Sequence, residues 1–257
     1  MDSMEIWQLL IIFGSGVIAG FINTLAGGGS FLTLPMLIFL GLPAVVANGT
    51  NRIAITVQSI FAVTGFRRKG ISGFKSSLLL SVPSCIGAVI GAQLAVITSD
   101  ILFKRILAVI MIFFFGVIFW DPIRSRYSKT MHAAEITELS RSRYTAVMAA
   151  MFFAGIYGGF VQAGVGFLFI MVLNMIGRLN LVKTNSHKVF VVGINALFSV
   201  FVFLLHGKIY WITGIVLAAG TGLGGWIGSN LAVSKGERFV RVVLAICVIA
   251  IAARLLV

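Results

Sequence analysis

Two basic residues stand where a strongly apolar chain should hold none. Arg52 closes Gly49-Thr50-Asn51-Arg52, about ten residues past the apolar start at Leu42, and Lys188 closes Asn185-Ser186-His187-Lys188 in the second half. No Asp or Glu lies near either one in sequence. At roughly 1.5 Å per helical residue, Arg52 is on the order of 15 Å deep, near the middle of a hydrocarbon layer of about 30 Å. A guanidinium there costs at least about 2.5 kcal/mol on insertion scales, so it must face a cavity or a partner. Lys188 approaches from the other end, with Lys183 bringing the boundary closer to it. A guanidinium offers a planar donor fork to a carboxylate, sulfonate or phosphate, and an ammonium adds a compact charge. The chemistry implied is the capture of a small anion.

A second ingredient precedes each cation. Ala26-Gly27-Gly28-Gly29-Ser30 and Ala163-Gly164-Val165-Gly166 interrupt apolar segments, and each Gly lowers helix stability by about 1 kcal/mol relative to Ala. Inside a bilayer such a break survives only against protein or a wet cavity. Short helices starting near Ser30 and Gly166 would aim N–H groups of partial positive charge into the site. The expected substrate-binding set is therefore Arg52, Lys188, Asn51, His187, Gly28, Gly29, Ser30, Gly164, Gly166, Thr50, Ser186 and Gln162. Asn51 and His187 stand out because they adjoin the cations at equivalent positions, and His187 could carry a proton at neutral pH. Each has a plainer reading. Arg52 could bond carbonyls of the broken hairpin, Lys188 could snorkel to the surface, His187 could be a packing histidine, and the glycines could serve close helix packing.

The elements that must position these groups follow from composition. Of 257 residues, 59% are hydrophobic and only 11% charged, with a mean hydropathy of +1.08. A soluble domain could not cover its surface with so little charge, so the chain is expected to be an all-α polytopic membrane protein. Ile6–Leu25 is long, Phe31–Leu40 is short, and Ala44–Phe66, Phe74–Ile97 and Ile101–Trp120 are of crossing length. Tyr144–Val161, Phe167–Gly177, Leu181–Leu205, Ile209–Val233 and Phe239–Val257 repeat the order. Whether the short segments 31–41 and 167–177 are re-entrant or spanning stays open.

Gly28 and Gly164, Phe31 and Phe167, Gly41 and Gly177, and Arg52 and Lys188 are each 136 positions apart. With one more residue inserted, Gly87-Ala88-Val89-Ile90-Gly91 matches Gly224-Gly225-Trp226-Ile227-Gly228. A duplicated unit is implied: a first repeat over 1–120, a polar linker over 121–143 and a second repeat over 144–257, each repeat a broken-helix hairpin plus three full transmembrane helices. An odd number of crossings per unit inverts the second against the first. The basic residues agree, since fourteen of the twenty Lys and Arg fall on one side in that arrangement. That side, with the linker, is read as cytoplasmic, and both termini as periplasmic. Inverted repeats are typical of secondary transporters.

Charge and absences narrow the function. The net charge of +13 would suggest nucleic acid in a soluble protein, but here it belongs to the positive-inside bias, and no nucleic acid is expected. The acids Asp2, Glu5, Asp100, Asp121, Glu135, Glu138 and Glu237 are all terminal or in loops, which argues against cation or metal transport. Cys85 and Cys247 form no redox or metal pattern. No metal site or cofactor is expected. The acidic start Met1–Glu5 is unlike a cleavable leader, so the first apolar run is taken as part of the mature fold.

Together, Gly20-Phe21-Ile22-Asn23 with Ala26-Gly27-Gly28-Gly29, Gly49-Thr50-Asn51-Arg52, Gly158-Gly159-Phe160 with Gly164-Val165-Gly166, and the tail from Gly207-Lys208 to Gly228 resemble the TauE/SafE sulfite exporter family, also called the 4-toluene sulfonate uptake permeases (TSUP). The resemblance covers nearly the whole chain. It implies carriage of a sulfur-containing anion (sulfite, sulfoacetate or another organosulfonate) across a bacterial inner membrane. Arg52 stands where such proteins often look to have Lys, and Asn23 where an acid is common. The expected partners are the small anionic substrate, membrane lipids and a coupling proton or ion. Competing readings are a passive anion channel, a carrier of a non-sulfur anion, and an intramembrane enzyme. The last would need a nucleophile–base pair that adjacent Ser186 and His187 do not provide on a helix.

Overall fold

The computed structural model describes residues 5–71, 73–120, 140–177, 179 and 181–256. Most of the expected linker, the first four residues and Arg178 lie outside them. Among the described residues all regular structure is helical. The helices are α1 (Ile6–Leu25), α2 (Ser30–Phe39), α3 (Ala44–Arg68), α4 (Phe74–Ile97), α5 (Asp100–Trp120), α6 (Arg141–Phe160), α7 (Val165–Met171), α8 (Leu181–Leu205) and α9 (Trp211–Leu256). Among the described residues four stretches are long and apolar enough to cross a membrane: Ile6–Leu25, Lys75–Ile97, Val182–Leu205 and Trp211–Ser234. α3 has the length, at 25 residues, but its polar centre from Asn48 to Arg52 lowers its hydropathy.

The molecule is apolar outside and polar within. Ile6, Phe39, Ile97, Ile101, Ile112 and Phe153 are all more than 60% exposed, whereas Asn48, Thr50, Asn51, Arg52, Thr184 and Asn185 are fully buried. Exposed apolar surface on this scale is what lipid would cover.

Each short arm folds back on the long helix before it. α2 runs back along α1: Gly29 abuts Ala19 and Asn23, Ser15 Oγ lies 3.7 Å from Met36 Sδ, and Ile12 shares an apolar cluster with Leu37. α7 turns back on α6 likewise, with Gly158 under Val165. Both short arms are irregular at matching points. α2 contains Pro35, and α7 passes into a π-helical turn over Val172–Ile176, a local widening that often accompanies functional sites.

Packing between the halves is reciprocal. α1 lies against α9, where Gly20 meets Thr221 and Gly224 meets Val17 and Phe21, and α6 lies against α4, where Gly155 meets Ser84 and Gly87 meets Phe152 and Ile156. Glycine at these contacts lets backbones approach to distances that larger residues forbid. α3 and α8 run antiparallel through the centre. Gly49 near the start of α3 meets Phe203 near the end of α8, Ser59 meets Gly193 midway, and Phe66 shares a cluster with Val189.

One expectation is overturned. Ile209–Val233 and Phe239–Val257 are not two helices but one uninterrupted helix of 46 residues, Trp211–Leu256, about 69 Å long at 1.5 Å per residue. In the first half, α4 and α5 separate because Thr98 is extended and Ser99 Oγ accepts the Leu102 N–H at 3.4 Å. The corresponding stretch, Lys235-Gly236-Glu237, lacks that capping serine. Ser234 just before it bonds back to Leu231 O within its own helix, so nothing stops α9.

Candidate functional site

The two breaks meet. A Cβ added to Gly27, where φ is +90°, would stand 2.5 Å from the Gly166 carbonyl carbon, and one added to Gly166 would collide with Gly27 Cα. Around this backbone contact the aromatics cross. Gly28 lies against Phe167 and Gly164 against Phe31, and the two rings stack at 6.4 Å between centroids. Phe114 of α5 packs on both. Only glycine leaves room at these points, so the sequence breaks are also the points of closest approach between the hairpins.

Each cation serves the hairpin of the other half. Arg52, on α3, donates from Nη1 to Gly158 O at 3.0 Å and Gln162 Oε1 at 2.8 Å, and from Nη2 to Gly159 O at 2.6 Å and Asn48 Oδ1 at 3.4 Å. Lys188, on α8, donates from Nζ to Asn23 O at 2.9 Å, Thr24 O at 2.7 Å and Asn185 Oδ1 at 2.9 Å. The backbone acceptors are the last carbonyls of α6 and α1, which have no partner within their own helices. A cation at a helix C-terminus also complements the negative end of the helix dipole. Both residues are buried, Arg52 at 0% and Lys188 at 1% exposure. The Phe203 ring lies 4.9 Å from the guanidinium carbon.

Dipoles alone surround these charges. Among the described residues the single ion pair is Lys104 with Asp100, and it lies at the start of α5. The hydrogen bonds of Arg52 and Lys188 are therefore to neutral carbonyls and amides, which solvate a buried charge without cancelling it.

The remaining expected residues divide. Asn51 holds the first turn of α2, accepting from Thr33 Oγ1 at 2.8 Å and donating to Ser30 Oγ at 3.2 Å. His187, at the equivalent position, instead pairs its Nδ1 with Ser77 Oγ at 2.8 Å and lies over Gly73, away from its own hairpin. Thr50 Oγ1 accepts the Tyr210 N–H at 2.9 Å and so anchors the α8–α9 connection. Ser186 is half-buried. α2 starts at Ser30 after Gly29, and α7 starts at Val165, one residue before Gly166. Gln162 is buried, with φ +67°, a backbone region rare for a residue with a side chain.

Sequence reasoning left Asn48, Asn185 and Phe203 out of the binding set, although they touch the two cations. Asn48 and Asn185 were legible as polar residues one helical turn before Arg52 and Lys188. Phe203 carried no signal, because its place depends on the antiparallel contact of α3 and α8. A further polar chain joins the halves: Asn23 Nδ2 donates to Gln58 Oε1 at 2.6 Å, and Gln58 Nε2 to Thr24 Oγ1 at 2.9 Å.

An all-helical, lipid-facing chain with buried cations over broken hairpins is a polytopic membrane protein built around a polar centre. The family model described as "Sulfite exporter TauE/SafE" matches residues 12–255, and the chain belongs to that family of membrane transporters. It is 28% identical over its whole length to a "Probable membrane transporter protein ORF9" of Sinorhizobium sp, covering 95% of that protein. It is 27% identical over 96% of its length to the "Probable membrane transporter protein YfcA" of Escherichia coli strain K12, covering 88% of it. A "Probable membrane transporter protein" of Haemophilus influenzae is 28% identical over 93% of the chain and 90% of its own length. These relatives bear the names of transporters, not of enzymes. No solved structure matches the chain.

Proposed function

We propose that this protein is a secondary carrier of a sulfur-containing anion such as sulfite, sulfoacetate or another organosulfonate, bound where the two broken hairpins meet. The observation that carries the reading is a pair of fully buried cations with no acid paired to them among the described residues. Two uncompensated positive charges in a low-dielectric interior favour an anion strongly. The family's printed description favours the same class of cargo.

The carrier is built from inverted repeats over 1–120 and 144–257, joined by a cytoplasmic linker over 121–143, in the inner membrane with the amino terminus periplasmic; an unbroken α9 crosses once and leaves its far end on the linker's side. Antiparallel α3 and α8, the exchanged partners of α1 and α6, and the reciprocal cation clamps support this arrangement. It is the architecture expected of an alternating-access site shared by two halves. Arg52, Lys188, Gln162, Asn51, Thr50, Ser186, His187 and the glycine-lined helix starts at Gly28-Gly29-Ser30 and Gly164–Gly166 form its polar surroundings.

The test is transport in proteoliposomes with radiolabelled sulfite or sulfoacetate. Trans substrate should accelerate exchange, as it does in a carrier and not in a passive channel. A thermal-shift series with sulfite, sulfoacetate, taurine and simple carboxylates should show stabilisation by the anion that is carried, because a ligand stabilises the state that binds it. Absence of both binding and counterflow for every sulfur anion removes the proposal.

A further inference from the structure

We propose that Gln162 makes this site selective for oxyanions that carry no proton. The inference rests on the anion-binding reading above and adds which form of anion is accepted. Three of the buried side-chain atoms without a partner are donors: Arg52 Nε, Gln162 Nε2 and Asn185 Nδ2. Two of these belong to one bonded unit, because Gln162 Oε1 accepts from Arg52 Nη1 at 2.8 Å.

That bond fixes what the amide can offer. A free glutamine can turn its amide and present either an acceptor or a donor. Here the oxygen is held by a guanidinium, which can only donate, so the nitrogen is the end left over. Gln162 is 1% exposed and held at φ +67°, between the end of α6 and the Gly164 turn. A side chain kept in so unfavourable a backbone region has its orientation set by its surroundings. What Gln162 leaves over is thus its Nε2 amide nitrogen, a donor, while its oxygen is engaged by Arg52.

An acceptor-only anion such as a sulfonate or the sulfite dianion suits that donor. A protonated oxyanion of equal charge brings an O–H that needs an acceptor, and a buried donor left unpaired is costly. Specificity of this kind comes from what the site leaves unpaired with the wrong ligand. The unpartnered acceptors Ser59 Oγ and Asn195 Oδ1 belong to other contacts. Ser59 packs on Gly193, and Asn195 lies over Gly158 with its amide nitrogen turned to Ser84.

Methanesulfonate and methylphosphonate test this directly in purified full-length protein, by thermal shift and by competition for uptake of sulfoacetate, which carries no proton at the pH used. At mildly acidic pH both are monoanions of nearly the same shape, and only the phosphonate carries a proton. Methylphosphonate should bind at least about tenfold more weakly, the effect of one donor facing no acceptor. In Gln162→Glu one carboxylate oxygen stays on Arg52 and the other becomes an acceptor, so the preference should collapse or reverse. Gln162→Asn, which suits a left-handed backbone, retracts the amide and should keep the fold while shrinking the preference. Equal binding of the two anions by the unaltered protein overturns the inference and leaves the anion site standing. A preference that persists in both variants overturns the assignment to Gln162. If neither anion binds while sulfite does, the inference fails alone, and if no anion binds at all, the anion reading fails first.

Discussion

Arg52 and Lys188 hold matching positions in the two halves, and each ties off the helix end of the opposite hairpin, yet they differ in what they leave over. Lys188 has three N–H bonds and three acceptors, in Asn23 O, Thr24 O and Asn185 Oδ1. It is saturated. Arg52 fills both terminal nitrogens but leaves Nε without a partner, and its acceptor Gln162 leaves an N–H as well, as Asn185 does beside Lys188. Their neighbours diverge in the same sense. Asn51 braces α2 at its first turn, whereas His187 faces Ser77 at the start of α4. The two basic residues share an electrostatic role, and only Arg52 leaves a donor of its own unpartnered. Lys188 contributes charge and cohesion, and under the proposed function Arg52 adds a donor for the anion.

This contrast can be broken in graded steps. The largest effect should come from Gly166→Val, which drives a branched side chain into Gly27 and should abolish folded protein in detergent, removing both clamps together. Recovery of a monodisperse, native-like species by size-exclusion chromatography would show that the hairpin contact is dispensable. Next is Arg52→Ala, which leaves the Gly158 and Gly159 carbonyls bare. It should lower unfolding stability by about 3–5 kcal/mol, as removal of a buried charge from its network does, and weaken sulfur-anion binding at least about 100-fold. Lys188→Met should cost similar stability but weaken binding only about tenfold, because its contribution to the ligand is charge alone. A Lys188→Met loss of affinity exceeding that of Arg52→Ala would reverse the comparison. The smallest effect belongs to His187→Asn, which gives the second half the residue found at Asn51. It should cost about 1 kcal/mol through the lost Ser77 bond and leave anion affinity within about threefold, measured by thermal unfolding and ligand titration.

Much of this was legible in the chain. The glycine breaks, the short arms and the matched cations were visible because bilayer physics penalises each of them unless it has a partner. The all-helical class and most helix limits followed from apolar runs, with Ile6–Leu25 and Leu181–Leu205 read to the residue. The identity of the partners was not legible. That Arg52 would find Gly158 and Gly159, and Lys188 would find Asn23 and Thr24, depends on each α3-type helix crossing the other half's hairpin. Carbonyls have no sequence signature. The unbroken α9 escaped because a charged, glycine-containing stretch was taken as a loop. The missing cue was the capping hydroxyl that Ser99 supplies in the first half. The divergence of Asn51 and His187 escaped for a related reason, since equal positions in a repeat need not meet equal neighbours.

The Gly27–Gly166 contact has a mechanical consequence. Side-chain interfaces loosen by rotamer change, but bare backbone against bare backbone has no such freedom and can only slide or turn as a unit. Opening the centre first to one face of the bilayer and then to the other would therefore swing the hairpins about this point as about a bearing, with most displacement at their outer ends. A short crosslink tying the far ends of the short arms should therefore stall turnover.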